Sequence, residues 1–280
     1  MKINSIKTKL IYLQMFLSIN VCLSQTINLQ TVPDSTKQFG ISFDKIFFLN
    51  NYSKMSLFSG VYQIYFNIPI SSKWNLISSI PYINASYEID NYWGKYTYSK
   101  KAFGNIFIGI QTKKKIINNS VSFFSAGVFL PTAEENIALN GIFSNYYDIQ
   151  KFIPNSLGLY LNYANHRIIA ENFNVAFEVG PNFIIPIGDN NSNGEVFLHY
   201  GINGGYKINK LFFNVELIGM FILTRDTDDI KDRFVNMLNF GTQWKGSVIS
   251  PKIFYKIYLN DEISRLVDGV LGFGVTVTID

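Results

Sequence analysis

The feature that most restricts the fold of this chain is a regular alternation of apolar with polar or small residues in three consecutive segments, 173–187, 195–208 and 211–224. In the first of them Phe177 stands on the apolar side and Glu178 on the polar side. A period of two residues indicates β-strands, because successive side chains of a strand point to opposite faces. The apolar side is long and rich in aromatic residues, as in strands that have lipid on one face and a wet interior on the other. The pattern therefore favours a transmembrane β-barrel.

The first 24 residues have the composition of a secretory signal peptide. Three lysines precede a mostly apolar run at 10–23, and Cys22 and Ser24 are small residues at the −3 and −1 positions of a cleavage site before Gln25. The run is too short and too polar for a good transmembrane helix. The alternative is a lipoprotein acylated at Cys22, but the residues before this cysteine lack the usual small neighbour. We expect a cleaved signal at 1–24, followed by one barrel domain at 25–280.

The composition excludes several classes of site. Cys22 is the only cysteine, so the mature chain has no means of forming a disulfide or a thiolate metal site. The net charge of +4 comes mostly from the signal lysines, and the rest of the chain carries 21 basic against 20 acidic residues, so no nucleic-acid partner is expected. No later apolar run is long enough for a membrane helix. Only a closed barrel would therefore let the mature chain span a membrane, since open sheet edges cannot face lipid.

Twelve strands are predicted after a polar lead segment that reaches about Lys37. They are expected at 39–50, 56–69, 74–89, 102–115, 120–131, 156–167, 173–187, 195–208, 211–224, 233–245, 251–260 and 269–279. Apart from the brief first link at 51–55, short links alternate with longer polar ones, among them 91–101 and 134–155. This layout is typical of outer-membrane barrels, with short turns in the periplasm and long loops outside. We expect the last strand to close the barrel against the first.

A soluble β-sandwich is the alternative fold, because strand length and turn spacing would also suit it. The chain contains 25 Phe, 17 Tyr and 3 Trp. One core layer cannot bury so many rings, whereas a barrel directs them toward lipid and into interfacial girdles. The predicted fold class is therefore all-β: a transmembrane antiparallel up-and-down β-barrel of about 12 strands.

The outer loop predicted at 134–155 is too long for a simple turn. It contains several apolar residues, including Ile142, Phe143 and Tyr147. One hypothesis is that it folds over or into the barrel mouth as a constriction or plug. The other is that it packs on its neighbouring loops, and the sequence does not decide between the two.

Segment 101–136 carries a family resemblance. Gly104-Asn105-Ile106 precedes a strand that ends in basic residues, a short turn follows, and the returning strand ends in Leu130-Pro131-Thr132. An earlier strand contains Ser79-Ile80-Pro81-Tyr82 near its middle. This arrangement resembles the outer-membrane barrels grouped as transporters of the phenol meta-degradation pathway, which are related in style to long-chain fatty-acid channels.

Two positions depart from the pattern of that family. Asn105 stands where the family usually has an acidic residue, and Ala133 replaces the usual glycine after Pro-Thr. The resemblance implies uptake of small hydrophobic or amphiphilic molecules. It implies no agreed set of catalytic residues.

The polar faces of the predicted strands define a candidate lumen. The lumen-lining candidates are Gln63, Tyr65, Glu178, Asn182, Glu195, His199, Asn203, Lys207, Asn214, Glu216, Lys252 and Lys256. Charges of both signs are diluted by amides, whereas a strongly ion-selective pore has a one-sided ring of charge. We therefore expect a nearly neutral lumen, or one partly filled by its own side chains. Twelve strands enclose more space than eight, where side chains alone fill the interior.

Catalysis and metal binding are not expected. The two histidines, His166 and His199, both fall on the polar face, whereas outer-membrane phospholipases place a Ser/His/Asn set on the lipid-facing side. The acidic loop at 225–232 lacks the glycine and the terminal glutamate of a calcium loop. No catalytic residue, metal or cofactor is therefore predicted.

The expected function is an outer-membrane channel or uptake porin of a Gram-negative bacterium for small hydrophobic or weakly charged solutes. Its expected surroundings are outer-membrane lipid. The alternative is a structural or surface-binding barrel that acts through its long loops, where Tyr96 and Tyr146 would offer aromatic contacts.

Overall fold

The computed structural model describes most of the chain. The described residues are 28–30, 36–49, 53–91, 94–112, 115–117, 119–135, 138–188, 193–225 and 229–279. The signal peptide predicted at 1–24 lies outside them, as do the lysine pair at 113–114 and the middle of the acidic loop, 226–228.

The described part consists mainly of strands. They are β1 (Lys37–Phe48), β2 (Ser53–Met55), β3 (Gly60–Pro69), β4 (Trp74–Asn91), β5 (Gly94–Phe103), β6 (Phe107–Thr112), β7 (Lys115–Ile117), β8 (Ser120–Phe129), β9 (Ser156–Ala170), β10 (Phe173–Pro186), β11 (Glu195–Ile208), β12 (Leu211–Ile222), β13 (Phe234–Trp244), β14 (Ile249–Tyr258) and β15 (Val267–Ile279). The helices are α1 (Ala138–Ser144), α2 (Asp261–Ser264) and two 3-10 helices, Tyr146–Lys151 and Ile230–Arg233. Among the described residues, no helix is both long and apolar enough to cross a membrane.

The strands form one antiparallel sheet that closes into a twelve-stranded barrel. The order around the wall is β4, β3, β1, β15, β14, β13, β12, β11, β10, β9, β8 and β6, and pairing of β6 with β4 completes the ring. The last strand pairs with the first from Lys37 opposite Ile279 onward, which confirms the predicted closure. Short turns connect strands at one end, which we call the turn end. The opposite end, with the longer connections, is the loop end.

The predictions for two of the connections between strands are wrong. The segment predicted as a polar loop at 91–101 is mostly strand, because β4 runs to Asn91 and pairs with β5 as far as Gly94. This hairpin extends past the wall at the loop end. Tyr87 and Ile89 alternate there with Glu88 and Asp90, so the period of two is present, but the polar composition of the segment led to the prediction of a loop. The first link contains β2, an extra short strand that pairs with the projecting part of β4.

The alternation of the wall strands is confirmed. On β10 the outward Phe177 is 43% exposed, whereas the inward Glu178 is 2% exposed. On β1, β3, β4 and β5 an outward row of rings lies near the loop end, Phe43, Tyr62, Tyr82 and Phe103, with neighbouring centroids 4.6, 6.3 and 5.4 Å apart. Such a row is typical of the aromatic girdle at a membrane interface.

A groove of about 500 Å³ adjoins this aromatic row on the outer face of the barrel. Ile41, Ile64 and Ile80 line it together with the rings of Tyr62 and Tyr82. These side chains point outward, so the groove lies on the outer face of the barrel and is not part of the lumen.

The interior divides into two zones. Toward the loop end the wall presents buried apolar side chains such as Ile184, Phe197 and Ile222. Toward the turn end it presents buried amides, including Asn174 and Asn214. The sequence predicts the amides, whereas the apolar zone is a finding of the structure.

Candidate functional site

Two segments of the chain itself occupy the lumen. The leading insert, residues 28–30, precedes β1 and therefore joins the wall at its turn end. The loop insert, residues 138–155, belongs to the connection between β8 and β9 and enters from the loop end. Of the two hypotheses for the long loop, the structure agrees with a segment inside the barrel mouth.

The loop insert packs against two opposite sides of the apolar zone. Phe152 lies in a buried cluster with Val61 and Ile83 of β3 and β4. Ile149 lies in another with Phe197, on the opposite side of the barrel. The insert therefore spans the lumen at this level, and its apolar composition, visible in the sequence, matches the wall that it contacts.

Asn105 fixes the loop insert to the wall at the point where β5 gives way to β6. Its side-chain oxygen accepts hydrogen bonds from the backbone N–H groups of Thr132 and Ala133, at 2.9 and 2.8 Å. Its side-chain nitrogen donates to the carbonyl oxygens of Gln150 and Ile153, at 2.8 and 2.7 Å. All four bonding positions of the amide are used, and only an amide offers two donors and an acceptor in one side chain of this size.

Gly104, which precedes Asn105, allows the loop insert to approach the wall closely. A Cβ on Gly104 would lie 2.3 Å from the carbonyl oxygen of Lys151, so any side chain there would push the insert away. The Gly104 carbonyl also accepts a 2.7 Å hydrogen bond from the Thr132 hydroxyl. The two short motifs that carry the family resemblance thus meet in space and hold the loop insert.

The leading insert is held mainly by side chains of the wall. The backbone N–H of Asn28 donates to Glu216 and that of Gln30 donates to Glu178, each at 2.9 Å. Leu29, between them, is 3% exposed and lies in an apolar cluster of the lumen. This pattern of contacts satisfies the insert's polar backbone and buries its one apolar side chain.

Glu178 joins the two inserts. Its Oε1 accepts a hydrogen bond from the phenol O–H of Tyr147 in the loop insert, and its Oε2 accepts one from the N–H of Gln30. Asn162 donates a third bond at 3.2 Å. Burial, followed by the Glu178 carboxylate, holds the pKa of Tyr147 well above its ordinary value. The phenol therefore keeps the proton that it donates.

His199 belongs to the same network and is fully engaged. Its Nδ1 accepts a hydrogen bond from the Asn182 amide at 2.5 Å, and its Nε2 donates to the side-chain oxygen of Asn162 at 3.0 Å. The ring stacks on Tyr160 with centroids 5.1 Å apart, and Tyr147 meets its edge. The contacts described for His199 are those of a packing residue, and among them is no serine or carboxylate of a catalytic triad.

A buried ion pair lies on the opposite side of the lumen. The ammonium group of Lys256 is 2.7 Å from the carboxylate of Asp44 and donates a second bond to the carbonyl oxygen of Ser144 in the loop insert, at 3.2 Å. Asp44 is one of the two residues that break the apolar pattern of the first strand. The negative charge of Asp44 is therefore balanced by Lys256 on β14.

The structure places most of the predicted lumen residues inside the barrel. Seven are buried: Glu178, Asn182, His199, Asn203, Asn214, Glu216 and Lys256. Gln63, Tyr65, Lys207 and Lys252 are partly buried, and Glu195 is exposed at the loop end. Lys207 and Lys252 lie near the turn end over the rings of Phe212 and Phe254, at 5.8 and 5.6 Å. The seven buried members lie among the two inserts and one another, whereas the other five keep contact with solvent.

The leading insert and two lumen tyrosines, Tyr147 and Tyr160, are not among the predicted lumen residues. Asn28, Leu29 and Gln30 show no periodicity and no motif, so no local signal marks them as lumen residues. Tyr160 faces inward on β9, which the period of that strand does indicate. Tyr147 was visible only as one apolar residue of a long loop.

Among the described residues, no group of histidine, cysteine or acidic side chains is arranged to hold a metal ion. The two buried carboxylates of the lumen, Glu178 and Glu216, are instead engaged by N–H donors of the leading insert. The chemistry available here is hydrogen bonding and ion pairing within a closed barrel.

No model of a known protein family and no curated protein matches this chain. Solved structures match its fold at low sequence identity. The COG4313 outer membrane channel from Pseudomonas putida F1 is 12% identical, with a TM-score of 0.59 over 91% of this chain and 100% of that one. The NanC porin is 8% identical, with a TM-score of 0.52 over 87% of this chain and 100% of that one.

A third match comes from a different class of outer-membrane barrel. The translocator domain of the autotransporter NalP from Neisseria meningitidis is 9% identical, with a TM-score of 0.51 over 88% of this chain and 89% of that one. At these identities the shared property is the fold. This chain has the closed antiparallel barrel of bacterial outer-membrane proteins, a fold that channels, porins and translocators share.

Proposed function

We propose that this chain is a passive outer-membrane channel of a Gram-negative bacterium for small hydrophobic or weakly charged solutes. The conformation described here is its closed state, and the channel opens when the two inserts leave the lumen. Export through the signal peptide at 1–24 and residence in outer-membrane lipid are parts of the same proposal.

The observation that carries the proposal is that segments of the chain, and not wall side chains alone, fill the lumen. A twelve-stranded wall encloses more space than its own side chains occupy. The loop insert contacts the wall through the Asn105 latch, a few further polar contacts such as that of Tyr147, and the apolar clusters of Phe152 and Ile149. Segments held in this way are able to leave as units while the strand pairing of the wall stays intact.

The side chains that line the lumen support this class of solute. Amides dominate the turn-end zone, apolar side chains dominate the loop-end zone, and the buried charges include both signs. Strong ion selectivity requires a ring of one sign. The family resemblance of segment 101–136 adds support for uptake of small hydrophobic or amphiphilic molecules.

Single-channel recording of the mature chain, 25–280, in planar bilayers tests the proposal. We expect the native barrel to show rare, brief openings, and a variant with 138–151 replaced by a short Gly-Ser linker to conduct persistently. The matched control shortens the projecting β4–β5 hairpin, which lies outside the lumen and should not change conductance. A folded barrel without conductance in the native, the linker and the leading-insert-deleted forms would contradict the channel function.

A further inference from the structure

The leading insert makes more specific contacts than blocking the lumen would require. The chain bends at Asn28 and Leu29, and the backbone N–H groups on either side of Leu29 both point toward the wall. Here these two groups, on Asn28 and Gln30, each meet a carboxylate of the wall, Glu216 and Glu178, at 2.9 Å. The two carboxylates project inward from β12 and β10, on either side of β11. The wall therefore presents two acceptors for a bent peptide backbone, one on each side of Leu29.

A socket for an aliphatic side chain lies between these two acceptors. Leu29 occupies it, in a cluster that includes Ala176 and Ile218. Gly201 forms its floor on β11, where a Cβ would lie 2.3 Å from Leu29 Cδ2 and 3.2 Å from Ile218 Cγ2. The socket thus has room for the leucine only because residue 201 has no side chain.

A polar subsite receives the next side chain. The Gln30 amide oxygen accepts hydrogen bonds from Ser125 at 2.6 Å and Gln111 at 3.3 Å, and its nitrogen donates to the Tyr160 hydroxyl at 2.8 Å. The Gln30 carbonyl oxygen accepts a bond from Nε2 of His166 at 3.1 Å. The wall therefore binds both the backbone carbonyl and the side chain of Gln30 through paired donors and acceptors.

We propose that this part of the lumen is a peptide-binding site, which the leading insert occupies in the closed state. Its ligand class is a short peptide with an aliphatic residue followed by an amide residue, bound in the bent form of the leading insert. Acidic side chains are excluded by Glu178 and Glu216. That such peptides are also solutes of the barrel rests on the proposed channel function, whereas the binding itself does not.

The test uses the full chain with residues 26–30 deleted, refolded in detergent and checked for heat-modifiable migration. The probe is a fluorescent hexapeptide with the sequence of residues 26–31, acetylated and amidated, and binding is followed by anisotropy. We expect saturable binding to the deletion variant and at least tenfold weaker binding to the full chain, whose own insert competes. A peptide with aspartate in place of Leu29 should bind at least tenfold more weakly. Equal binding of the two peptides would overturn the proposal.

A pair of glycine variants distinguishes loss of the binding site from a failure to fold. In the deletion variant, Gly201→Val should abolish peptide binding by filling the socket. Gly204→Val should leave it unchanged, because a Cβ on Gly204 meets nothing within 4 Å. Glu178→Gln with Glu216→Gln should weaken binding about tenfold or more, since hydrogen bonds to charged acceptors are the stronger ones. Peptide binding that is insensitive to Gly201→Val would overturn the site.

Conductance of the same deletion variant separates the two proposals. Peptide binding by the deletion variant, with no conductance in the native, linker and deletion forms, would leave the site standing and contradict the channel. Conductance without peptide binding would leave the channel standing and overturn the site.

Discussion

Glu178 and Tyr147 are joined across the lumen by a hydrogen bond from the phenol to the carboxylate. Tyr147 enters from the loop end, and the other oxygen of Glu178 holds Gln30 of a segment that joins the wall at the turn end. One side chain of the wall therefore connects two inserts that are far apart in the sequence. Loss of either insert removes a donor from the same buried carboxylate, so we expect the two inserts to stabilise each other.

Glu178→Gln should raise the open probability of the channel about tenfold or more. The substitution removes the charge and turns one acceptor oxygen into a donor, which then faces Tyr147 or Gln30. Loss of one charge-assisted hydrogen bond corresponds to about 1.5–3 kcal/mol. Single-channel recording measures the change, and Glu195→Gln, at an exposed carboxylate of β11, is the control. Identical open probabilities for the Glu178→Gln variant and the native barrel would contradict the coupling role.

The closed state should lose stability at alkaline pH through Tyr147. Its pKa is raised in the closed state by burial, by Glu178, and further by Tyr160 and Asp148, whereas in a released loop it returns to about 10. The neutral phenol therefore stabilises closure fully below about pH 10, and this contribution falls as the pH rises from there toward the raised pKa. Open probability should stay constant from pH 7 to about 9.5 and increase above about 10.

Tyr147→Phe provides the check on this pH dependence. The variant should open more often at neutral pH and lose the part of the alkaline increase that comes from this group. The control is Tyr163→Phe, a tyrosine on the outer face that donates to Ser122. It should keep the alkaline increase, and an unchanged increase in Tyr147→Phe would assign it to other groups.

Asn105→Asp should release the loop insert, although an acidic residue is usual at this position in the family that the segment resembles. Aspartate cannot donate to the carbonyl oxygens of Gln150 and Ile153, and each buried acceptor left without its donor costs about 1–3 kcal/mol. Lys151, 7% exposed, should then become accessible to trypsin. We expect cleavage there to accelerate at least tenfold, measured by mass spectrometry. Asn172→Asp, on an exposed turn, should leave the rate unchanged.

The Asp44–Lys256 pair should show strong coupling in a double-mutant cycle. Asp44→Asn or Lys256→Met alone leaves a buried charge without its partner, and we expect each to lower the free energy of unfolding by about 3–5 kcal/mol. The double variant should be closer to the native barrel than the sum of the two predicts. Urea unfolding of barrels refolded in lipid vesicles measures the cycle, and strictly additive losses would show that the pair is not coupled.

The sequence alone predicts the wall of the barrel well. The period of two in segments such as 173–187 places Phe177 outside and Glu178 inside, and the structure confirms both positions. Such a pattern is local and is imposed by surroundings that differ on the two faces of a strand. In the hairpin beyond the wall the alternation continues, at Tyr87, Glu88 and Ile89, but lysines and hydroxyl residues make the segment as polar as a loop, and the prediction of a loop at 91–101 is wrong.

Only the tertiary structure decided what occupies the lumen. The bond from Asn28 to Glu216 joins residues 188 positions apart, and that from Gln30 to Glu178 joins residues 148 apart. The sequence around each of these residues does not show which donor or acceptor it will contact, because the contact depends on the closure of twelve strands into one barrel. The sequence therefore determined which residues face inward. The closed wall brought the leading insert to Glu178 and Glu216, since buried carboxylates need partners that water no longer supplies.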